Sequence, residues 1–262
     1  MSKKPKKSTP WQRFLAWWNL QRVAICMLLL AVSIAIYGYI DLHSNWLTPL
    51  PVIADFYANV ATELASIAIT VLVIDGINER RAIQQEKQTL ILQMSSPTNF
   101  IAKEAARILR MQGWLTDGTL QGANLLRANL QKAFLPGADL RGVYLQKANL
   151  IDAYLQEANL TGARELEDWQ LATAKYLRKA ILPGGNLYDG RFNLRGDLSW
   201  AHDKLKIKRD DNQAIAEFYE ISVEEYLQGQ AWAKENLQNL LLLAESMYKH
   251  SAKNEEEEMM EN

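Results

Sequence analysis

The chain has 262 residues, a net charge of −1 and 48% apolar residues. Its one cysteine, Cys26, has no intrachain partner and excludes a disulfide framework, while length and composition leave open whether the apolar residues fill a core or cross a bilayer. Distribution decides: two apolar stretches lie in the first third, and the rest of the chain is charged throughout.

Residues 1–22 carry Lys3, Lys4, Lys6, Lys7, Arg13 and Arg22 with no acid. With Trp11, Phe14, Trp17 and Trp18 interspersed, they read as a basic interfacial arm on the headgroup layer. Residues 23–40 hold no charge, and 18 residues at 1.5 Å each reach about 27 Å, enough to cross a hydrocarbon core. The run is long for a signal peptide and no A-x-A-like cleavage site follows it. An uncharged-to-acidic loop, 41–50, leads to a second expected span at 51–76. There Asp55, Asn59, Glu63, Ser66 and Thr70 fall on one helical stripe, which in a membrane must face protein or water. Ala58, Ala61, Ala65 and Ala68 form a small-residue stripe for close helix packing, and Tyr57, Val60, Leu64, Ile67 and Val71 are assigned to lipid. Basic flanks and a loop free of Lys and Arg place both termini in the cytoplasm.

A cytoplasmic helical connector is expected over 77–112, broken at SSPTN, with a helix from about Phe100 to Met111. From Leu115 to Leu160 a leucine then recurs every fifth residue, ten in succession, with a small residue two positions before nearly every one: Gly118, Ala123, Ala128 and so on to Ala158. Neither a helix nor a flat strand has a period of five. A second period of 20 lies on top of it, with Gly122, Gly142 and Gly162 in register, Asn129 over Asn149, and Phe134 over Tyr154.

These residues, GANLL RANLQ KAFLP GADLR GVYLQ KANLI DAYLQ EANL, resemble the A(D/N)LXX pattern of the pentapeptide-repeat family. The resemblance implies a right-handed quadrilateral β-helix with four repeats per coil of about twenty residues, leucine and alanine inward. The domain is expected over 113–192, strong to residue 164, out of phase at Arg164 to Gln170, and weaker through Leu177, Leu182 and Leu187. A stub of two to four coils is about 10–20 Å tall at strand spacing and needs caps. Phe134, Tyr144 and Tyr154, each just before an inward leucine, form a candidate interaction surface. The wider layout, TELASIAITVLVIDGINERR through YDGRFNLRGDL and FYEISVEEYLQGQ, is also similar to a group of bacterial membrane proteins. That resemblance brings a bacterial inner-membrane location and no known activity.

After the repeat, a Gly- and Asn-rich stretch reads as loops or short strands, and helices are expected over 193–252, one starting at a Ser222–Glu225 capping box. Residues 253–262 read as an acidic, disordered tail. Asp197, His202, Asp203, Asp210 and Asp211 match no ligand motif and read as a solvated acidic loop; no metal or cofactor site and no catalytic constellation is expected. The fold class expected is therefore a membrane-anchored α+β chain: a two-helix transmembrane hairpin, a β-helix and C-terminal helices. The leading expectation for function is a cytoplasmic-face scaffold for an unidentified protein partner. The alternative is an oligomeric channel or transporter subunit whose pore is lined by the second span. Homo-oligomers are expected on either reading. Mixed charge over 113–164, including Asp117, Asp139, Asp152 and Glu157 against Arg127, Lys132, Arg141 and Lys147, argues against a DNA mimic, and no nucleic-acid partner is expected.

Overall fold

A computed structural model describes residues 20–44 and 51–260. The basic arm up to residue 19 and loop residues 45–50 lie outside the described residues. The chain divides into two compact units, Met1–Gln85 and Glu86–Asn262.

The first unit is helical: α1 is Leu20–Ser44, and α2, Pro51–Met94, begins here and runs on into the second unit. Among the described residues its buried ones are all alanines, Ala24 and Ala31 on α1 and Ala68 on α2. Alanine is among the small residues that let helix backbones approach closely. Of the two spans expected, one is supported: within Asn59–Met94 lies a stretch long and apolar enough to cross a membrane, and almost none of it is buried. The described apolar stretch of α1, Arg22–Tyr37, is shorter than a span. One face assignment also changes. Leu64 and Val71, given to lipid on sequence, are half-buried, because at 100° per residue they lie within about 60° of Ala68. The exposed apolar face is instead Ile67, Ile69, Val73 and Ile74.

The second unit is built on the period of five. Parallel bridges join residues 20 apart on four successive sides: Asn124 to Tyr144, Asn129 to Asn149, Phe134 to Tyr154 and Asp139 to Asn159. Each fifth-residue leucine from Leu115 to Leu160 is at most 2% exposed, and the alanines from Ala123 to Ala158 are buried beside them. This is a four-sided β-helix whose corners are tight turns, the alanine N–H of one repeat donating to the leucine carbonyl of the last, as in Ala128 to Leu125 at 3.1 Å. The second central residue of each corner has positive φ. Glycine fills it at Gly122, Gly137, Gly142 and Gly162, but Arg127, Lys132, Lys147, Asp152, Glu157 and Lys179 adopt it at φ between 55° and 63°. The Asn or Asp before the leucine caps the following corner: Leu126, Ile151 and Thr161 N–H groups donate to Asn124, Asn149 and Asn159 Oδ1 at 3.1, 3.1 and 3.0 Å. That local bond explains the Asn and Asp at this position; Phe134, Tyr144 and Tyr154 stand there instead without it and pack outside.

Open edges of a coil must be covered. Below, α3, Asn99–Met111, buries Ala102, Ala105, Ala106 and Leu109, joined by Leu90 and Met94 of α2. The Ser96 carbonyl accepts from Asn129 N–H at 3.0 Å, and Asn99 Nδ2 donates to the Asn129 and Gln131 carbonyls. Above, the break in phase is a one-turn helix, α4, Asp168–Leu171, which lengthens the coil so that Tyr154 bridges Tyr176 and Asn159 bridges Ile181, 22 residues apart. Its fully buried Gln170 donates to the Leu145 and Ala148 carbonyls at 2.8 and 2.9 Å.

The repeat pattern ends sooner than the sequence suggests. Leu177 is inward, but Leu187 is 38% exposed. The PGGN turn reverses the chain, Ile181 pairs antiparallel with Leu187, and Tyr188 takes the interior place. Beyond it come α5, Arg195–Ser199, a π-helical turn Trp200–Lys204, α6, Asn212–Tyr219, and α7, Val223–Met260. The capping box forms, Ser222 N–H to Glu225 Oε2 at 2.9 Å and Glu225 N–H to Ser222 Oγ at 3.1 Å. α7 continues to Met260, through the acidic stretch that composition assigns to a disordered tail. Tyr248 of α7 closes the coil top, its hydroxyl accepting from Leu150 N–H and its ring edge-on to Trp169 at 5.2 Å.

Candidate functional site

The three aromatics singled out by sequence are not brought together. Ten residues separate Tyr144 from Phe134 and from Tyr154, which is two sides of a four-sided coil. Tyr144 stands on the Asn124 side with the Arg164 guanidinium over its ring at 5.0 Å and hydrogen-bonded to its hydroxyl. Phe134 and Tyr154 stack on the opposite side at 5.3 Å, and Tyr176 continues the strip at 5.1 Å. Tyr176 was missed because the two extra residues of α4 break the period. The signal was present, since Tyr176 precedes Leu177 as Tyr154 precedes Leu155.

The strip forms one wall of a cavity of about 300 Å³, closed by Trp200 and by Phe218 of α6, with Gln156, Arg178 and Asp197 among the lining residues. The positions come from sharp local constraints. Gly196 brings α5 against the third coil so closely that an added Cβ would lie 2.2 Å from the Lys175 carbonyl oxygen. That approach carries Asp197 beneath the coil edge, where its Oδ2 accepts the Leu177 N–H at 3.0 Å. Asp197 is therefore a buried residue and not part of a solvated acidic loop. Of its companions in that expectation, Asp203, Asp210 and Asp211 are exposed, and His202 Nδ1 lies 2.8 Å from the Ile207 carbonyl. Among the described residues no group of three or more His, Cys, Asp or Glu could hold a metal.

The electrostatics of the cavity are unusual for so small a space. Desolvation pushes the Asp197 carboxyl up to about 7, opposed by N–H groups of Leu177 and Arg178 and by the Arg178 charge. Its Oδ1, and Oε1 of the half-buried Gln156, have no hydrogen-bond partner. Gln156, an outward position by register, is thus not a free surface residue. The Arg178 guanidinium rests over Phe218 at 5.0 Å, donates to the Phe218 carbonyl at 3.5 Å and lies 4.0 Å from Glu157. Lys175 reaches over Tyr154 and Tyr176 from the strip's edge, donating to the Tyr154 hydroxyl at 2.9 Å.

The other candidate, the polar stripe of α2, lies on one face. Asn59, Glu63, Ser66 and Thr70 are exposed, about 140–180° around the helix from Ala68. The Asp55 side chain lies outside the described residues. Thr70 spends its hydroxyl on the Ser66 carbonyl of its own helix at 2.8 Å.

Comparison with family models matches residues 115–146 and 123–162 to the family described as pentapeptide repeats, in eight copies. No curated protein and no solved structure matches the chain.

Proposed function

We propose that this pentapeptide-repeat chain is a membrane-anchored interaction scaffold: a short β-helix, right-handed as in the family it resembles, held at the cytoplasmic face of a bacterial inner membrane. The observation that carries the reading is the double character of α2. Its Ile67, Ile69, Val73 and Ile74 are left uncovered by protein, whereas its Leu90 and Met94 are built into the repeat core. On this reading α1 supplies a second crossing, the basic arm stays inside, and the partner is a protein that docks on the outer faces of the coil. The Phe134–Tyr154–Tyr176 strip is the favoured docking face, because aromatic side chains are enriched where proteins bind one another. A photo-crosslinking residue at Phe134 should yield an adduct with a second protein in native membranes, and one at Gln146 should not. Equal yields at both sites would contradict the strip as the docking face, and no adduct at either would contradict the scaffold reading.

The exposed stripe Asn59, Glu63, Ser66 and Thr70 supports self-association as well. In lipid such groups seek polar partners, and since single contacts average only about 0.6 kcal/mol several must act together. Changing Asn59, Glu63 and Thr70 together to leucine should shift detergent particles toward monomer, while Ile69→Ala should leave them unchanged. A monomer for the unaltered chain would overturn both the oligomer and the second reading, a pore lined by that stripe, which ion flux from reconstituted protein tests separately.

A further inference from the structure

The cavity walled by the aromatic strip has the makings of a small-molecule site, a use that the scaffold reading does not assign to it. We propose that it binds a small organic ammonium carrying an apolar tail. Three observations point the same way. Its walls are rings from three separate parts of the chain, Phe134, Tyr154 and Tyr176 on the coil, Trp200 on the π-helical turn and Phe218 on α6. Ring faces attract cations, and they do so here already: Arg110 lies 4.5 Å from the Phe134 centroid and Lys175 covers the two tyrosines. Trp200 is 49% exposed, and among the described residues no cation lies over it. An indole is the strongest of these rings toward a cation.

The second observation is polar. Two of the lining residues hold acceptor oxygens without partners, Asp197 Oδ1 and Gln156 Oε1, and Asp197 is 1% exposed. Buried acceptors left unpaired are uncommon and costly. An ammonium brings both the donors and the charge that such acceptors lack, and a neutral or anionic ligand does not supply the charge. The third is the balance of charge facing Asp197. Arg178 from the coil is the cation whose charge acts on it, and that guanidinium is shared with Glu157 and the Phe218 carbonyl. Tyr188 from the post-repeat turn and Tyr219 from α6 also face it, and burial holds both phenols neutral. Asp189 nearby is paired to Arg191 at 2.8 Å. An ionised Asp197 is thus undercompensated, and a ligand cation completes it. The π-helical turn that sets Trp200 at the mouth is of a kind frequent at functional sites.

The site would take a monoamine of roughly ten heavy atoms and exclude a nucleotide or a peptide, given its size. The probe is 2-phenylethylamine, titrated into the full chain in detergent by calorimetry, with phenylacetate and 2-phenylethanol as the anionic and neutral counterparts. The amine should bind and the other two should not. Its affinity should rise about tenfold from pH 6 to pH 8 as Asp197 ionises around pH 7. Asp197→Asn keeps an acceptor for the Leu177 N–H and should cut affinity tenfold or more while abolishing the pH dependence. Trp200→Ala, at a half-exposed position, should weaken binding with the thermal transition unchanged. Absence of amine binding, preference for phenylacetate, affinity that falls with rising pH, or unchanged affinity in Asp197→Asn would each overturn the assignment. None of those outcomes bears on whether the chain is a membrane scaffold.

Discussion

The two ends of α2 carry similar apolar side chains in opposite circumstances. Toward the end of the helix, Leu90 and Met94 are 5% and 0% exposed, sealed into a core of leucines and alanines. About four to seven turns earlier, Ile67, Ile69, Val73, Ile74 and Ile77 are about half exposed, on a helix with little else around it. Burying such side chains is worth about 1.5–3 kcal/mol each, and here they belong to a stretch within Asn59–Met94 that is long and apolar enough to cross a membrane. The difference supports the proposal that the first region is built for a different solvent. Ala24, Ala31 and Ala68, its only buried residues among those described, agree, since small residues and not large ones mark helix packing in lipid.

Mutations separate the two regions. Leu140→Ala or Leu145→Ala should destabilise the repeat domain by about 2–5 kcal/mol, read from denaturation of the full chain in detergent, because each leaves a void in a closed coil. Ile69→Ala should leave that transition where it is. Equal losses would mean that Ile69 is part of the same core. Next in size is Gln170→Ala, which strips the donors from two buried carbonyls, Leu145 and Ala148, and should cost about 1–3 kcal/mol. Gln146→Ala, exposed on the same coil, should cost little.

Two aspartates of the second unit sharpen the contrast through pH. Asp139 accepts from the Arg141 guanidinium at 2.7 and 2.8 Å, which holds its carboxyl down at about 2, below the ordinary 3.8. Its folded form prefers the charged state, so this contribution is present above about pH 4 and is lost as pH falls through about 2. Asp197, raised to about 7 by burial, prefers the protonated state; its contribution is present below about pH 4 and is lost as pH rises through about 7. Asp197→Asn should therefore flatten the fall in melting temperature between about pH 4 and 7, and Asp139→Asn should flatten the fall below pH 4. The smallest expected effect is a gain. Lys147 is exposed and sits at a corner with φ of 56°, a conformation costing a non-glycine residue about 1–2 kcal/mol. Lys147→Gly should recover up to about 1 kcal/mol after the entropy of glycine is subtracted.

The coil was legible because its constraint is local and repeated: each Ala-x-Leu enters the same interior, and each Asn or Asp caps the same corner. The fivefold pattern gives the inward register to within one residue, and the twentyfold pattern gives the Phe134–Tyr154 stack. What depends on single events was not legible. Gln170 does its work through two carbonyls more than twenty residues away, and no pattern announces it. Asp197 looked solvated because its neighbours in sequence are charged, whereas its burial is set by Gly196 pressing on Lys175 in a coil made earlier in the chain. Trp200 and Phe218 reach the cavity from elements whose placement only tertiary packing fixes. Tyr144 was misgrouped for a simpler reason: a shared place in the five-residue unit says nothing about which of four sides it faces.

The most direct measurement of the central claim is flotation of the full chain with lipid vesicles in a density gradient, followed by extraction at alkaline pH. A helix whose Ile67, Ile69, Val73 and Ile74 lie in the bilayer keeps the protein with the lipid after extraction. Recovery of the chain as a soluble, detergent-free species at the bottom of the gradient would contradict the account.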